Sequence, residues 1–285
     1  MKNLSVCLII SIVLFSCNKS NTPPPPEPPV PADSLLKSFS VYEPLVHIKT
    51  LVVLGYDEKK LLASVAVHNY DSSGSTVQID STVLSFKQAD STTLPGSYDL
   101  TIYDPSGPPA GALEHHLVSY DNLNRFTRDS ATMVQTNNYS TKHFTYDGYG
   151  NTTIESFSFD PQTPGSLTYQ QVDTMMMSQD NMLSDIAYMT PGGQLIRVIT
   201  RSFSTNLNPL YNQHLTFSFG TIFSYNSLVD FRSINLPDQS NYQDSDFQTV
   251  SLNFAWTKDT AGRVIKGIGS DPNTGITGQI YTYNY

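Results

Sequence analysis

The feature that most restricts this chain is a repeating unit: a strand of two-residue period, a tight aspartate turn, and a second strand of the same kind. Its clearest copy runs from Lys142 to Phe159. Phe144 and Tyr146 alternate with polar neighbours before the turn, and Phe157 and Phe159 do so after it. Between them lies Asp147-Gly148-Tyr149-Gly150. An aspartate side chain bonds back to the backbone two residues on, and glycine takes the positive φ that closes a short hairpin. A chain made of such units folds as antiparallel sheet.

The turn recurs at irregular intervals. Its copies centre on Asp57, Asp71 with Gly74, Asp104 with Gly107, Asp121 with Asn124, Asp147 with Gly150, and Asp259 with Gly262. Except after Asp57, the third residue on is Gly or Asn, as a left-handed position demands. Ser178 to Leu183 reads as a worn copy. Asp160 to Gly165, Pro191 to Gly193, Asn208-Pro209 and Asp271 to Gly275 read as further turns, and polar, acidic Leu236 to Phe247 as a surface loop. Helix signals are confined to Ser34 to Leu45, where Leu35, Leu36 and Phe39 share one side and Pro44 stops the run. Residues 46–285 therefore predict a single all-β domain, an antiparallel meander of hairpins forming a curved open sheet or sandwich.

Asp259-Thr260-Ala261-Gly262-Arg263-Val264 and Asp121-Asn122-Leu123-Asn124-Arg125-Phe126 resemble the YD-repeat (Rhs-type) hairpins, written loosely as Tyr-Asp-x-x-Gly-Arg followed by an apolar strand. The ending Ile280 to Tyr285 is similar to that of Bacteroidota lipoproteins that carry such hairpins. The resemblance spans roughly residues 46–285 and implies a fold; it implies no activity.

Ahead of the domain, residues 1–17 read as a lipoprotein signal peptide. Lys2 starts it, Leu4 to Phe15 is mostly apolar, and the run is shorter than the roughly 20 residues of a spanning helix. Leu14-Phe15-Ser16-Cys17 resembles a lipobox, which implies cleavage before Cys17 and acylation of that cysteine. Asn18 follows where Asp would favour inner-membrane retention, so the expectation is an outer membrane lipoprotein, periplasmic or surface-facing. Residues 18–45 form a Pro-rich stalk and linker. Seven prolines between Pro23 and Pro31 favour extended polyproline II, a spacer of roughly 45 Å.

Composition then removes whole classes of function. The only cysteines are Cys7 and Cys17, so the domain has no disulfide, no thiol nucleophile and no thiolate metal site. A formal net charge of −9 without a Lys/Arg cluster excludes nucleic acid as a partner. No Gly-x-Ser-x-Gly elbow is present. Gly267-Ile268-Gly269 begins like a dinucleotide fingerprint, but Pro272 stands at the third glycine and no helix follows. Glu114, His115 and His116 are the densest metal-ligand types; neighbouring strand residues face opposite ways, so only one of the histidines can join Glu114. Asp238, Asp244 and Asp246 lack the order of a calcium loop. The expectation is no metal and no cofactor. Met175-Met176-Met177 reads as core filling.

Aromatics are the remaining lead. Tyr281, Tyr283 and Tyr285 lie on one face of the last strand, where they serve either as a binding face or as cross-strand packing. That aromatic ending is also similar to the terminal signal of outer-membrane barrels. Against a barrel, membrane strands need about 9–11 residues with an unbroken lipid-facing apolar row. Polar residues interrupt such rows here, as in Gln248 to Asn253. The leading functional expectation is a lipid-anchored cell-envelope protein, a non-enzymatic binding or structural module. Its partners would be the membrane through Cys17 and a glycan or envelope protein. The alternative is an exported, glycan-acting hydrolase whose Asp/Glu carboxylates meet only in space.

Overall fold

The computed structural model describes residues 35–74, 76–88, 94–103, 112–134, 138–159, 167–211, 233–246 and 249–285. Cys17, the proline run, Asp104 and Gly107 lie outside them. The strands are β1 (Ser38–Glu43), β2 (Ile48–Tyr56), β3 (Leu62–Asp71), β4 (Val77–Gln88), β5 (Pro95–Tyr103), β6 (Ala112–Tyr120), β7 (Phe126–Met133) and β8 (Tyr139–Tyr146). They continue with β9 (Thr152–Phe159), β10 (Leu167–Ser178), β11 (Asn181–Thr190), β12 (Gln194–Leu207), β13 (Asn235–Asp244), β14 (Thr249–Lys258), β15 (Val264–Ser270) and β16 (Thr277–Asn284).

Each strand pairs antiparallel with the next, as the hairpin pattern predicts, but the sheet is neither open nor a sandwich. It closes into a sixteen-stranded barrel. The closing strand is β1, which pairs with β2 on one side and with β16 on the other, from Ser38 opposite Asn284 to Tyr42 opposite Ile280. Ser34 to Leu45 was expected to be helical and to belong to the linker. Instead Phe39 and Val41 turn inward while Ser38 and Ser40 turn outward, a two-residue period. Closure gives both sheet edges a partner. Leu236 to Phe247 is likewise not a loop; β13 occupies most of it, with Leu236 and Ser240 fully buried.

Odd-numbered strands run from the end where the chain enters β1, here the proximal end, to the distal end. At the proximal end the inward-facing side chains form a core. Tyr283, Phe39, Val52 and Val67 stand side by side across β16, β1, β2 and β3. Leu54, Val65, Leu84 and Leu100 do the same across β2 to β5. Leu36 and Leu210, from the segments before β1 and after β12, join this cluster, and a second group of Phe126, Phe144, Ile154, Met175 and Met182 meets it around Val118. Burial of each such side chain is worth about 1.5–3 kcal/mol. Phe39, Val52 and Leu84 have 0% exposure, so inward side chains pack against one another here.

The outward face is mixed: exposed Val53, Leu117 and Met176 stand on it beside rows of polar residues. Ser184, Thr200, Asn241 and Ser251 are neighbours across β11 to β14, and Ser85, Asp99, His115 and Thr132 across β4 to β7. Two inward positions are glycine because of their neighbours. A Cβ on Gly267 would lie 2.1 Å from the Trp256 ring, and one on Gly269 2.7 Å from Phe254. The Gly267-Ile268-Gly269 stretch thus makes room for aromatic rings in the core.

Candidate functional site

Four of the aspartate turns lie at the proximal end, and they share one geometry. Oδ1 of Asp57, Asp121, Asp147 and Asp259 accepts from the backbone N–H two and four residues on, at 2.8–2.9 Å. The third residue has positive φ each time: Lys60 63°, Asn124 61°, Gly150 86° and Gly262 80°. Lys60 shows that the turn tolerates a side chain there when the aspartate bonds hold it. The Asp71 turn, at the distal end, differs. Asp71 accepts from Ser73 N–H at 2.8 Å, but Gly74 does not take a positive φ. The stretch from Ser178 is no worn copy; Gln179 and Asp180 form a two-residue turn, both with positive φ.

Two of these turns extend into a clamp between hairpins. Oδ2 of Asp121 accepts from Arg125 Nε and Nη2 at 2.8 and 2.7 Å, and Asp259 does the same with Arg263 at 2.8 Å for both. Each guanidinium lies over the tyrosine that ends the strand after next: Arg125 over Tyr146 at 4.1 Å, Arg263 over Tyr285 at 4.6 Å. Those tyrosines donate to the carbonyl of the residue after the arginine, Tyr146 to Phe126 and Tyr285 to Val264. Tyr56 and Tyr120 reach back to Leu36 and Pro95 in the same manner. Bonds from Arg263 and Ala261 hold the Asp259 carboxyl below its usual range; at Asp121 burial opposes the shift, but the bonds from Arg125 and Leu123 outweigh it. This is strand-to-strand fastening, a structural role.

Toward the distal end the inward row turns polar and half-exposed. On β6 and β7, His116 stands between two carboxylates, its Nδ1 2.8 Å from Asp129 and its Nε2 2.9 Å from Glu114. Tyr98 donates to the other Asp129 oxygen and stacks on the His116 ring at 4.1 Å. Two acceptors on two ring nitrogens require both N–H groups, hence an imidazolium. Burial pulls the His116 pKa down, but the bonds and charges of Asp129 and Glu114 overcome it and leave the pKa raised. On β10 to β12, Arg197 Nη2 bridges Asp173 at 2.8 Å and Asp185 at 3.1 Å, with Gln171 donating to both Asp173 oxygens. Lys142 stands opposite Asp129, and Asp244 opposite Arg197.

The expectation that only one histidine joins Glu114 matches this geometry: His116 faces inward, while His115 faces outward to Asp99 at 2.7 Å. Because both His116 nitrogens are committed to carboxylates, neither has a lone pair for a metal. Among the described residues no three His, Cys, Asp or Glu side chains are set to hold a metal ion. Asp238 and Asp244, six residues apart along β13, are separated by about 20 Å and cannot share a cation. A hydrolase finds no support here either. Asp129, Asp173 and Asp185 are each tied to a base of the wall. The tyrosine row is not a binding face. Tyr281 and Tyr283 are buried against Phe39, Phe254 and Trp256, and half-buried Tyr285 serves its clamp. Met175 is buried and Met176 exposed, so the methionine run splits between the two faces. The His116 and Arg197 clusters escape sequence reasoning, because their members come from different strands; the single local signal is Glu114-x-His116.

Fold and site together define a closed antiparallel barrel with an apolar core at one end, a paired polar lining at the other, and an outer wall of mixed character that carries Asp99 and Glu155. No known family matches the chain, and no curated protein matches it. Among solved structures, a porin-like protein from Bacteroides uniformis is similar with a TM-score of 0.52 and 12% identity, over 87% of this chain and 96% of that one. A porin-like protein from Bacteroides vulgatus aligns with a TM-score of 0.47 and 10% identity, over 89% of this chain and 99% of its own. At 12% identity the first likeness is one of fold.

Proposed function

We propose that the chain is a lipid-tethered envelope protein whose barrel stands in water and serves as a binding or structural module, not as a pore. The observation that carries this reading is charge on the outer face around an apolar core. A lipid-embedded barrel turns an apolar band outward, and a charge at its midplane costs up to about 2–4 kcal/mol. Here Asp99 and Glu155 stand mid-strand on the outer face, whereas Phe39, Tyr281 and Tyr283 face inward. The packing of inward side chains at the proximal end counts against an open channel at that level. "Porin-like" describes the Bacteroides proteins that share the fold; conduction does not come with it. The lipobox at Cys17 supports attachment by acyl chains, and Asn18 supports an outer-membrane address.

Expression from Asp33 tests the reading. That shortened chain is expected to fold and stay soluble without detergent, and to leave planar bilayers non-conducting. The full chain is expected in the membrane fraction, from which Cys17→Ala releases it. Folding from Asp33 only in micelles, or stepwise conductance, would overturn the water-exposed wall.

A further inference from the structure

The two ends of the barrel differ in their rims as well as in their lumens. The distal turns and the strand ends beside them, from β13 around to β4, expose aliphatic side chains: Val250 at the mouth of the lumen, Ile276, Leu45, Val46, Val77 and Ile79, at 46% to 69% exposure. The same turns carry acids at the strand ends: Asp244 and Asp246, Asp271, Glu43 and Asp71. Across this arc the described basic side chains are His47 and Lys49, with Arg197 of β12 opposite Asp244 at its edge. Hairpin parity puts all of these residues at one end, opposite the end where the chain enters β1.

We propose that this arc is a docking surface for a protein partner that presents a basic segment interspersed with apolar residues. The aliphatic tips supply the apolar contact, and the acids select the charge. The sign of the charge argues against the other occupants. An anionic lipid surface would be repelled. A second copy docking arc to arc would bring the same acids together. A tether at the N-terminal side attaches to the proximal end, so the arc points away from the anchored surface. The inference rests on the water-exposed barrel proposed above.

The test uses the full acylated protein in phosphatidylcholine nanodiscs, with fluorescence anisotropy of a labelled peptide of alternating lysine and leucine. An equally long glutamate–leucine peptide and empty discs are the controls. The basic peptide is expected to bind at least about tenfold more tightly than the acidic one and to weaken as salt rises. Val46→Ser with Val77→Ser, and separately Glu43→Gln with Asp246→Asn, are each expected to weaken it about fivefold or more. Circular dichroism checks that every variant is folded. Leu123→Ser with Tyr149→Ser, at the proximal end, is expected to leave binding unchanged. Equal binding of the two peptides, or equal loss from the proximal pair, would overturn the proposal. So would arc-dependent dimerisation in sedimentation, or arc-dependent adsorption to phosphatidylcholine vesicles containing phosphatidylglycerol. A detergent requirement of the Asp33 chain would instead sink the water-exposed barrel, so the two failures are distinguishable.

Discussion

The proximal and distal halves of the lumen are built from the same strands, yet they solve opposite problems. In the proximal half, Phe39, Val52, Val65, Leu84 and Tyr281 have almost no exposure, and Tyr56 and Tyr146 donate to backbone carbonyls. In the distal half, half-exposed Glu114 and Arg197 face inward in company with their counter-charges. Burial makes an unpaired charge costly, so the buried carboxylates Asp129, Asp173 and Asp185 each have a base beside them. Stability therefore concentrates at one end and chemical character at the other.

Four tests, two of them with a milder companion substitution, break or sharpen that contrast, from the largest expected effect to the smallest. Phe39→Ala opens a cavity in the dry half and is expected to cost about 3–5 kcal/mol. Ser156→Ala, on the half-exposed inward row, is expected to change stability by less than about 0.5 kcal/mol. Urea unfolding of the two variants compares the halves directly, and equal losses would contradict the division.

Asp129→Asn tests the boundary between the halves and is expected to cost roughly 3 kcal/mol, because it strips a buried imidazolium of one carboxylate. Its pH dependence has a definite sign. The folded His116 pKa is raised, so its contribution is complete below the ordinary imidazole value of 6.5 and fades as pH rises through the folded pKa. Melting temperature against pH should fall on the alkaline side in the parent and flatten there in the variant. An unchanged profile would remove the imidazolium from the account.

Gly150→Val probes the proximal turns, where no neighbour would meet a new side chain and the cost is that of the φ of 86° alone. A loss of roughly 1–3 kcal/mol is expected, and a smaller one for Gly150→Asn. Arg263→Ala removes the clamp on Tyr285 and is expected to cost about 1 kcal/mol or less, since the pair is partly exposed. The Asp259 carboxyl is depressed, so its share of stability is present above the ordinary aspartate pKa and is lost as pH falls through the folded value. The variant should narrow that acid-side loss.

Hairpins were legible from residue order because their causes are local. Asp147 bonds to N–H groups two and four residues on, and Gly150 adopts its φ whatever lies beyond the turn. The two-residue period also holds within each strand, although it sets Phe144 and Tyr146 on the inner face and Phe157 and Phe159 on the outer one. Closure has no such signature. It depends on Ser38 meeting Asn284, a contact between residues at opposite ends of the domain, and β1 carries only two inward apolar residues to advertise it. The same holds for the luminal clusters: Ser156 and Gln171 look like outward polar residues until the barrel decides that their face is the inner one. Periodicity tells which residues share a face. Only the closed sheet tells which face encloses the core and which charges, from strands far apart in sequence, come to neutralise one another.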